Sequence, residues 1–75
     1  MATANLLLHI HAHPDPRAAE QLSGALRDIP GVLDARHNPR RDNLFLVDFE
    51  PGAVAPRAVL EAARRAGYPG DLIGL

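Results

Sequence analysis

The stretch that decides the fold is residues 6–16, which read LLLHIHAHPDP. From residue 8 onward apolar and polar residues alternate, which is the period of a half-buried β-strand. The leucine, isoleucine and alanine of this alternation share one face, and two histidines share the other. The pattern predicts a first strand over residues 6–12.

A helix is predicted directly after this strand. Asp15 is a good helix N-cap, and Pro16 suits the first helical position because its missing N–H would have no intrahelical partner. Apolar residues then follow at spacings of three and four, which places them on one stripe of a helix of about three turns. The residues of this stripe are Ala19, Leu22, Leu26 and Ile29. Pro30-Gly31 ends the helix.

The rest of the chain continues this alternation of elements. Residues 32–37 and 44–49 read as two strands joined by a polar turn, and a second helix begins at Pro56 and ends at Gly67. A short edge strand is predicted over residues 72–75. The apolar stripe of the second helix consists of Val59, Ala63 and Ala66.

The order βαββαβ predicts an α+β ferredoxin-like sandwich, with a four-stranded antiparallel sheet and both helices on one face. We expect the strand order 4-1-3-2. That order gathers the loop after strand 1, the turn between strands 2 and 3 and the turn after helix 2 at one end. The polar and aromatic residues expected at this end are His13, Asp15, Arg17, Arg40, Arg41 and Tyr68, with His37 nearby.

Composition excludes several classes of function. The 75 residues make one domain, residues 1–75, and their 8 basic and 9 acidic residues give a formal charge of -1. This balance lacks the basic footprint of a general nucleic-acid binder. The absence of cysteine excludes disulfides, thiolate metal sites and cysteine nucleophiles. With no apolar run long enough for a bilayer and no signal-peptide pattern, we expect a cytoplasmic protein that does not bind membranes.

Four ordered motifs resemble those of the heavy-metal-associated domains found in copper chaperones, mercury-binding proteins and metal-pumping ATPases. The resemblance covers nearly the whole chain and implies the fold predicted above. It also implies that Gly67-Tyr68 packs beside the loop that holds metal in that family. The motifs are Leu8-x-Ile10, Leu26-x-x-Ile29-Pro30-Gly31-Val32, Phe45-x-Val47-x-Phe49-Glu50-Pro51 and Ala62-x-x-x-Ala66-Gly67-Tyr68.

The metal motif of that family is Gly-Met-x-Cys-x-x-Cys, between strand 1 and helix 1. Here Asp15 stands in place of the first cysteine and Ala18 in place of the second. Because Cu(I) is held by two soft sulfur ligands, the copper-chaperone activity of the family does not carry over. The resemblance implies the fold, the location of a possible metal site and the packing of Gly67-Tyr68 beside it.

Histidines offer a different donor set at that location. His9, His11 and His13 alternate along the strand, and Asp15 continues the alternation with a hard oxygen. Imidazole suits Zn²⁺, Ni²⁺ and Cu²⁺, so we predict a divalent-metal site with His11 and His13 as the best pair and Asp15 as third ligand. In the alternative interpretation, the histidines are half-exposed side chains of the open sheet face, and Asp15 only caps the helix.

The sequence therefore predicts a metal-binding or metal-homeostasis domain that is not an enzyme, because so small a domain has little room for a catalytic pocket. The alternative is a copy without metal that binds a protein partner or a second copy through Leu44 and Leu46 on the open face. An amino-acid-sensing domain of the same topology is a third interpretation. Nucleic-acid binding is not expected, because the phenylalanines of strand 3 fall on the buried face.

Overall fold

The computed structural model describes residues 2–73 and contains the six predicted elements in the predicted order. Strands and helices alternate as βαββαβ. The bounds are β1 Ala4–Ile10, α1 Pro16–Arg27, β2 Val32–His37, β3 Leu44–Phe49, α2 Pro56–Arg65 and β4 Gly70–Ile73.

The four strands form one antiparallel sheet in the order β2-β3-β1-β4, which confirms the predicted strand order. The long central pair β1–β3 runs in register from Ala4 opposite Phe49 to His9 opposite Leu44. The short β4 pairs with the last part of β1, so that Asp71 lies directly opposite His9. This register positions the candidate site described below.

The core lies between the sheet and the helices. Leu8 and Ile10 of β1 and Phe45 and Val47 of β3 are fully buried, and Val59 of α2 packs over the same layer. Burying one such side chain contributes roughly 1.5–3 kcal/mol, so the alternation of apolar residues fixes which face of each strand meets the helices. Within residues 2–73, no helix covers the other face of the sheet, which stays open.

Two local signals act as the sequence predicts, one at the start of α1 and one directly after α2. The side chain of Asp15 accepts a hydrogen bond of 2.7 Å from the backbone N–H of Ala18, which caps the N-terminus of α1. After α2, Gly67 has a positive φ of 96°. The backbone N–H of Tyr68 then donates to the carbonyl of Ala63 at 2.8 Å, in the Schellman arrangement.

The ends of β1 and β4 differ from the prediction. β1 begins at Ala4 and ends at Ile10 rather than covering residues 6–12, because β3 and β4 offer it no partner beyond Ile10. β4 begins at Gly70 rather than Leu72, and the last two residues of the predicted strand lie outside the described residues.

The ends of the two helices also differ. α1 ends at Arg27, so Ile29 follows the helix, although its side chain still packs against the core. Ala66 is the exposed C-cap of α2 and not part of its buried stripe, since α2 itself ends at Arg65. Among residues 2–73, no helix is long and apolar enough to cross a membrane.

Candidate metal centre

The last residue of β1 and the residue after it lie between two loops. The backbone N–H of Ile10 donates to the carbonyl of Asn43 at 2.9 Å, and the backbone N–H of His11 donates to the carbonyl of Pro69 at 2.8 Å. These two bonds fix the end of β1 against the β2–β3 turn on one side and the α2–β4 turn on the other. The backbone of the candidate site is therefore held at two points, one in each loop.

His9, His11 and Asp71 come together at this end of the sheet. One potential ligand atom from each residue lies within 4.8 Å of the others. His11 Nε2 is 2.8 Å from Asp71 Oδ2, and the two imidazole centroids are 6.0 Å apart at an interplanar angle of 70°. Two imidazoles and a carboxylate are donors that suit borderline divalent ions such as Zn²⁺.

The cluster is open to solvent. The side chains of His11 and Asp71 are 52% and 69% exposed, and His9 is half-buried. An ion pair this exposed contributes only about 0–1 kcal/mol to stability. The contact between His11 and Asp71 is therefore weakly held, and an incoming ion can replace it at little cost.

The spacing of these donors fits one ion after small side-chain rotations. Zinc binds imidazole nitrogen and carboxylate oxygen at about 2.0–2.2 Å, so two ligands of a tetrahedral ion lie roughly 3.3 Å apart. The donor atoms of this cluster lie within 4.8 Å of one another before any such rotation. Because the backbone positions of His9 and Asp71 are set by strand pairing, only the side chains need to move.

His9 has a hydrogen-bond partner in Asn43. Asn43 Nδ2 lies 3.0 Å from His9 Nε2, and in the tautomer that carries its proton on Nδ1 this imidazole nitrogen accepts. A nitrogen that accepts a hydrogen bond can instead bind a metal. An ion bound at His9 Nε2 would replace Asn43, a neutral partner.

The other two residues of the predicted ligand set have different partners. His13 Nδ1 is 2.6 Å from Asp42 Oδ1, and Asp15 caps α1 as described above. Within residues 2–73, the group of ligand atoms that approach to 4.8 Å contains His11 but neither His13 nor Asp15. The structure thus brings His11 together with His9 and Asp71, and it joins His13 to the β2–β3 turn.

Two further residues that the sequence singles out, His37 and Tyr68, have structural partners. His37 Nε2 hydrogen-bonds to the carbonyl of Asp42 at 2.9 Å, and its ring centroid is 5.1 Å from that of Phe45. Tyr68 is partly buried and packs against the core. Both residues have structural partners, and neither belongs to the cluster.

Sequence reasoning missed Asp71, which is 60 residues from His11 along the chain. The predicted last strand begins at Leu72, whereas β4 begins at Gly70 and includes Asp71. The signal that could have found it is the register of β1 with β4, since Asp71 faces His9 across that pair. Period-2 patterning predicts the face of a residue but not its cross-strand partner.

The open sheet face also carries an apolar row next to the cluster. Ile73, Leu7 and Leu46 lie opposite one another on β4, β1 and β3, and Arg36 of β2 ends the row. Ile73 is 45% exposed, and Leu7 and Leu46 are half-buried. We call Ile73, Leu7 and Leu46 the apolar row.

Comparison with known proteins shows the fold. No family model and no curated protein matches the chain. Oxidized MerP from Ralstonia metallidurans CH34 superposes with a TM-score of 0.87 at 18% identity, over 97% of this chain and 100% of MerP. The metallochaperone CopZ gives 0.82 at 20% identity, over 91% and 100%. The yeast copper transporter domain Ccc2a gives 0.83 at 16% identity, over 97% of both chains.

These structures confirm the resemblance at the level of architecture. The chain has the ferredoxin-like fold of heavy-metal-associated domains, in a form without the two cysteines of their metal motif. A copper binding domain of the P-type ATPase HMA7 shares this fold with a TM-score of 0.84 at 18% identity, over 93% of both chains.

Proposed function

We propose that this protein is a metal-ion-binding domain that holds a divalent transition ion through His9, His11 and Asp71. The observation that carries the proposal is the approach of these three ligand atoms to within 4.8 Å at the end of β1. Residues 1–75 act in it as one binding domain without catalysis. Zn²⁺, Ni²⁺ and Cu²⁺ are the ions that suit two imidazoles and a carboxylate.

The fold supports the same class of function. Among the structures that share it are the mercury-bound form of MerP and a copper binding domain of the P-type ATPase HMA7. Cu(I) is not the expected ion here, because the chain contains no cysteine and the cluster contains no sulfur. The loss of sulfur thus changes the class of metal while the scaffold is retained.

The ligand set predicted from sequence, His11, His13 and Asp15, shares His11 with this cluster. To bind the same ion, His13 would have to leave Asp42, and Asp15 would have to give up the cap of α1. Each of these changes would break a hydrogen bond of the folded chain, and the His9–His11–Asp71 set requires neither change. The two sets therefore make different predictions for single substitutions.

A titration of the 15N-labelled chain with Zn²⁺, Ni²⁺ and Cu²⁺ tests the proposal, with imidazole shifts and calorimetry as readouts. We expect saturable binding with shifts at His9, His11 and the residues around Asp71. Acidification should weaken binding, since protons compete with the metal for imidazole nitrogen. No saturable binding at millimolar metal would refute the proposed function.

Matched variants assign the ligands. His11→Ala should abolish binding under either ligand set, and His9→Ala should weaken it at least tenfold only if the cluster is the site. His13→Ala and Asp15→Asn are the controls, because asparagine retains a cap oxygen. Loss of binding in these two variants, with His9→Ala unchanged, would instead establish the set predicted from sequence.

The open face supports a second candidate function, a protein-interaction module. The apolar row is exposed on a sheet face that carries no helix, and this is where a partner or second copy was predicted to dock. This function does not need metal. Association that survives a chelator would favour it over metal binding.

A further inference from the structure

A cavity that is open to solvent lies on the open face of the sheet, between the apolar row and the end of β2. Leu7 and Leu46 form its apolar floor, since they lie opposite each other on β1 and β3. Arg36 lies opposite Leu46 on β2, so a charged side chain stands at the edge of this floor. The cavity has a volume of about 230 Å³ and is lined by Leu7, Arg36, His37, Asn38, Pro39 and Leu46, none of them a ligand of the candidate metal centre.

The guanidinium of Arg36 is exposed and loosely paired. Its Nε is 3.3 Å from Asp34 Oδ2, and its Nη2 is 3.9 Å from Asp48 Oδ2. Both distances exceed the separation of about 2.7–2.9 Å in a charge-assisted hydrogen bond. A guanidinium also has more N–H donors than these two contacts use. Arg36 can therefore donate to a carboxylate of a bound molecule without losing either aspartate.

Asn38 supplies a second donor, and the backbone fixes which of its terminal atoms this is. Asn38 Oδ1 accepts from the backbone N–H of Arg40 at 2.8 Å and from that of Arg41 at 3.1 Å. Because these N–H groups require an acceptor, the other terminal atom of the side chain is the amide nitrogen. Within residues 2–73 this Nδ2 has no hydrogen-bond partner. Asn38 thus brings to the cavity wall a donor that the fold does not use.

The charges around the cavity favour a ligand that carries both signs. Arg36 contributes one positive charge, whereas its two partners, Asp34 and Asp48, contribute two negative charges. A plain carboxylate would be repelled by the aspartates, and a plain amine would be repelled by the guanidinium. An α-amino acid has its carboxylate and its ammonium side by side, so it can bridge the 3.9 Å between Arg36 Nη2 and Asp48 Oδ2.

The volume of the cavity limits the size of this ligand. At roughly 30 Å³ per molecule, 230 Å³ holds about eight waters, which is the size range of an amino acid with a branched aliphatic side chain. Sites for drug-sized ligands have volumes of about 300–1,000 Å³, so a nucleotide is too large. An aliphatic side chain would cover Leu7 and Leu46, which are only half-buried in the free chain.

We propose that this cavity binds a free α-amino acid with an aliphatic side chain, such as leucine. The carboxylate of the ligand accepts hydrogen bonds from Arg36 and Asn38, and its ammonium pairs with Asp48. Its side chain packs on the apolar floor. The site requires no metal and therefore goes beyond the proposed function. Because the cavity is open and the ligand is small, we expect a Kd on the order of 1 mM.

Titration of the 15N-labelled full chain with L-leucine tests this inference, in the presence of a chelator so that no metal complex of the amino acid forms. We expect saturable shifts at the backbone amides of Leu7 and Leu46 and at the side-chain amide of Asn38. Isocaproate lacks the ammonium and isoamylamine lacks the carboxylate, so each should bind at least tenfold more weakly. Equal shifts with all three compounds, or no saturable shift at tens of millimolar leucine, would overturn the inference and leave the metal-binding proposal untouched.

Three variants assign the two charges. Arg36→Gln should weaken leucine binding at least tenfold, whereas Arg57→Gln makes the same change of charge on the exposed surface of α2 and should bind leucine like the original chain. Asp48→Asn should weaken the binding of leucine but strengthen that of isocaproate, since it removes the partner of the ammonium and a source of repulsion. The 15N spectra show whether each variant is folded. Unchanged leucine binding in Arg36→Gln, or a parallel loss of both ligands in Asp48→Asn, would contradict the proposed site.

Discussion

At the scale of single residues, Asp15 has a structural role that does not require metal. Its carboxylate accepts from the backbone N–H of Ala18 at 2.7 Å and thereby satisfies one of the free donors of the first turn of α1. The cysteine that the family places here would have no such role. Capping alone explains an aspartate at this position.

Replacing Asp15 with alanine should therefore lower the free energy of unfolding by about 1 kcal/mol, since the cap hydrogen bond is lost. Urea denaturation followed by circular dichroism measures the change. Asp15→Ser is the control and should remain within about 0.5 kcal/mol of the original chain. Equal losses in both variants would show that the cap is not the reason for the aspartate.

Gly70 is the residue at which a small change should move the candidate site. A Cβ built there would lie 2.8 Å from the Cα of Ile10 and would also clash with the carbonyl of His9. Gly70→Ala must push β4 away from β1, which moves Asp71 away from His9. We expect a loss of about 1–3 kcal/mol in stability, together with weaker zinc binding.

The matched control is Gly24→Ala within α1, where a Cβ would meet nothing within 4 Å. Alanine is the better helix former, so this variant should gain roughly 0.5–1 kcal/mol in stability. Thermal unfolding of both variants gives the comparison. A Gly70→Ala chain as stable as Gly24→Ala would contradict the close approach of β4 and β1.

At the scale of elements, β1 tests whether alternation sets the faces of the sheet. Leu8 is fully buried, whereas its neighbour Leu7 is half-buried on the open face. Leu8→Ala should cost about 2–5 kcal/mol, because it leaves a cavity in the core, and Leu7→Ala should cost less than half as much. Chemical denaturation measures both, and similar losses would indicate that the register is shifted by one residue.

The elements themselves were predictable from sequence because their signals are local. Alternation identified the core face of β1 and β3, and Asp15, Pro16 and Gly67 marked helix ends through backbone chemistry that depends on a few neighbours. The exact ends of β1 were not predictable, since they depend on the lengths of β3 and β4. A strand ends where its partners do.

The candidate site was predictable only in part for the same reason. His11 was identified from the run of histidines, but its partner Asp71 is determined by the pairing of β1 with β4. His13 was predicted to bind beside His11 because alternation was extended past residue 10, where the strand has already ended. Residue types and their alternation along the chain thus predict which kinds of ligand are present. The register between paired strands determines which of these ligands lie close together.

At the scale of the whole molecule, a domain of 75 residues has little stability to spare, because it buries only about 60% of the surface that its unfolded chain exposes. Any ion that binds the folded chain alone should therefore change its melting temperature visibly. His9 lies in β1, His11 follows the end of β1, and Asp71 lies in β4, 60 residues from His11 along the chain. Unfolding separates them, so the unfolded chain binds zinc much less well.

Zinc at a hundred times its dissociation constant should thus add about 2.7 kcal/mol to the free energy of unfolding. For a domain of this size, that gain corresponds to a rise in melting temperature on the order of 10–20 °C. Differential scanning calorimetry with zinc, with chelator and with His11→Ala measures the effect, and we expect the rise only in the first condition. A rise of the same size in His11→Ala would show that zinc stabilises the chain from a site other than the end of β1.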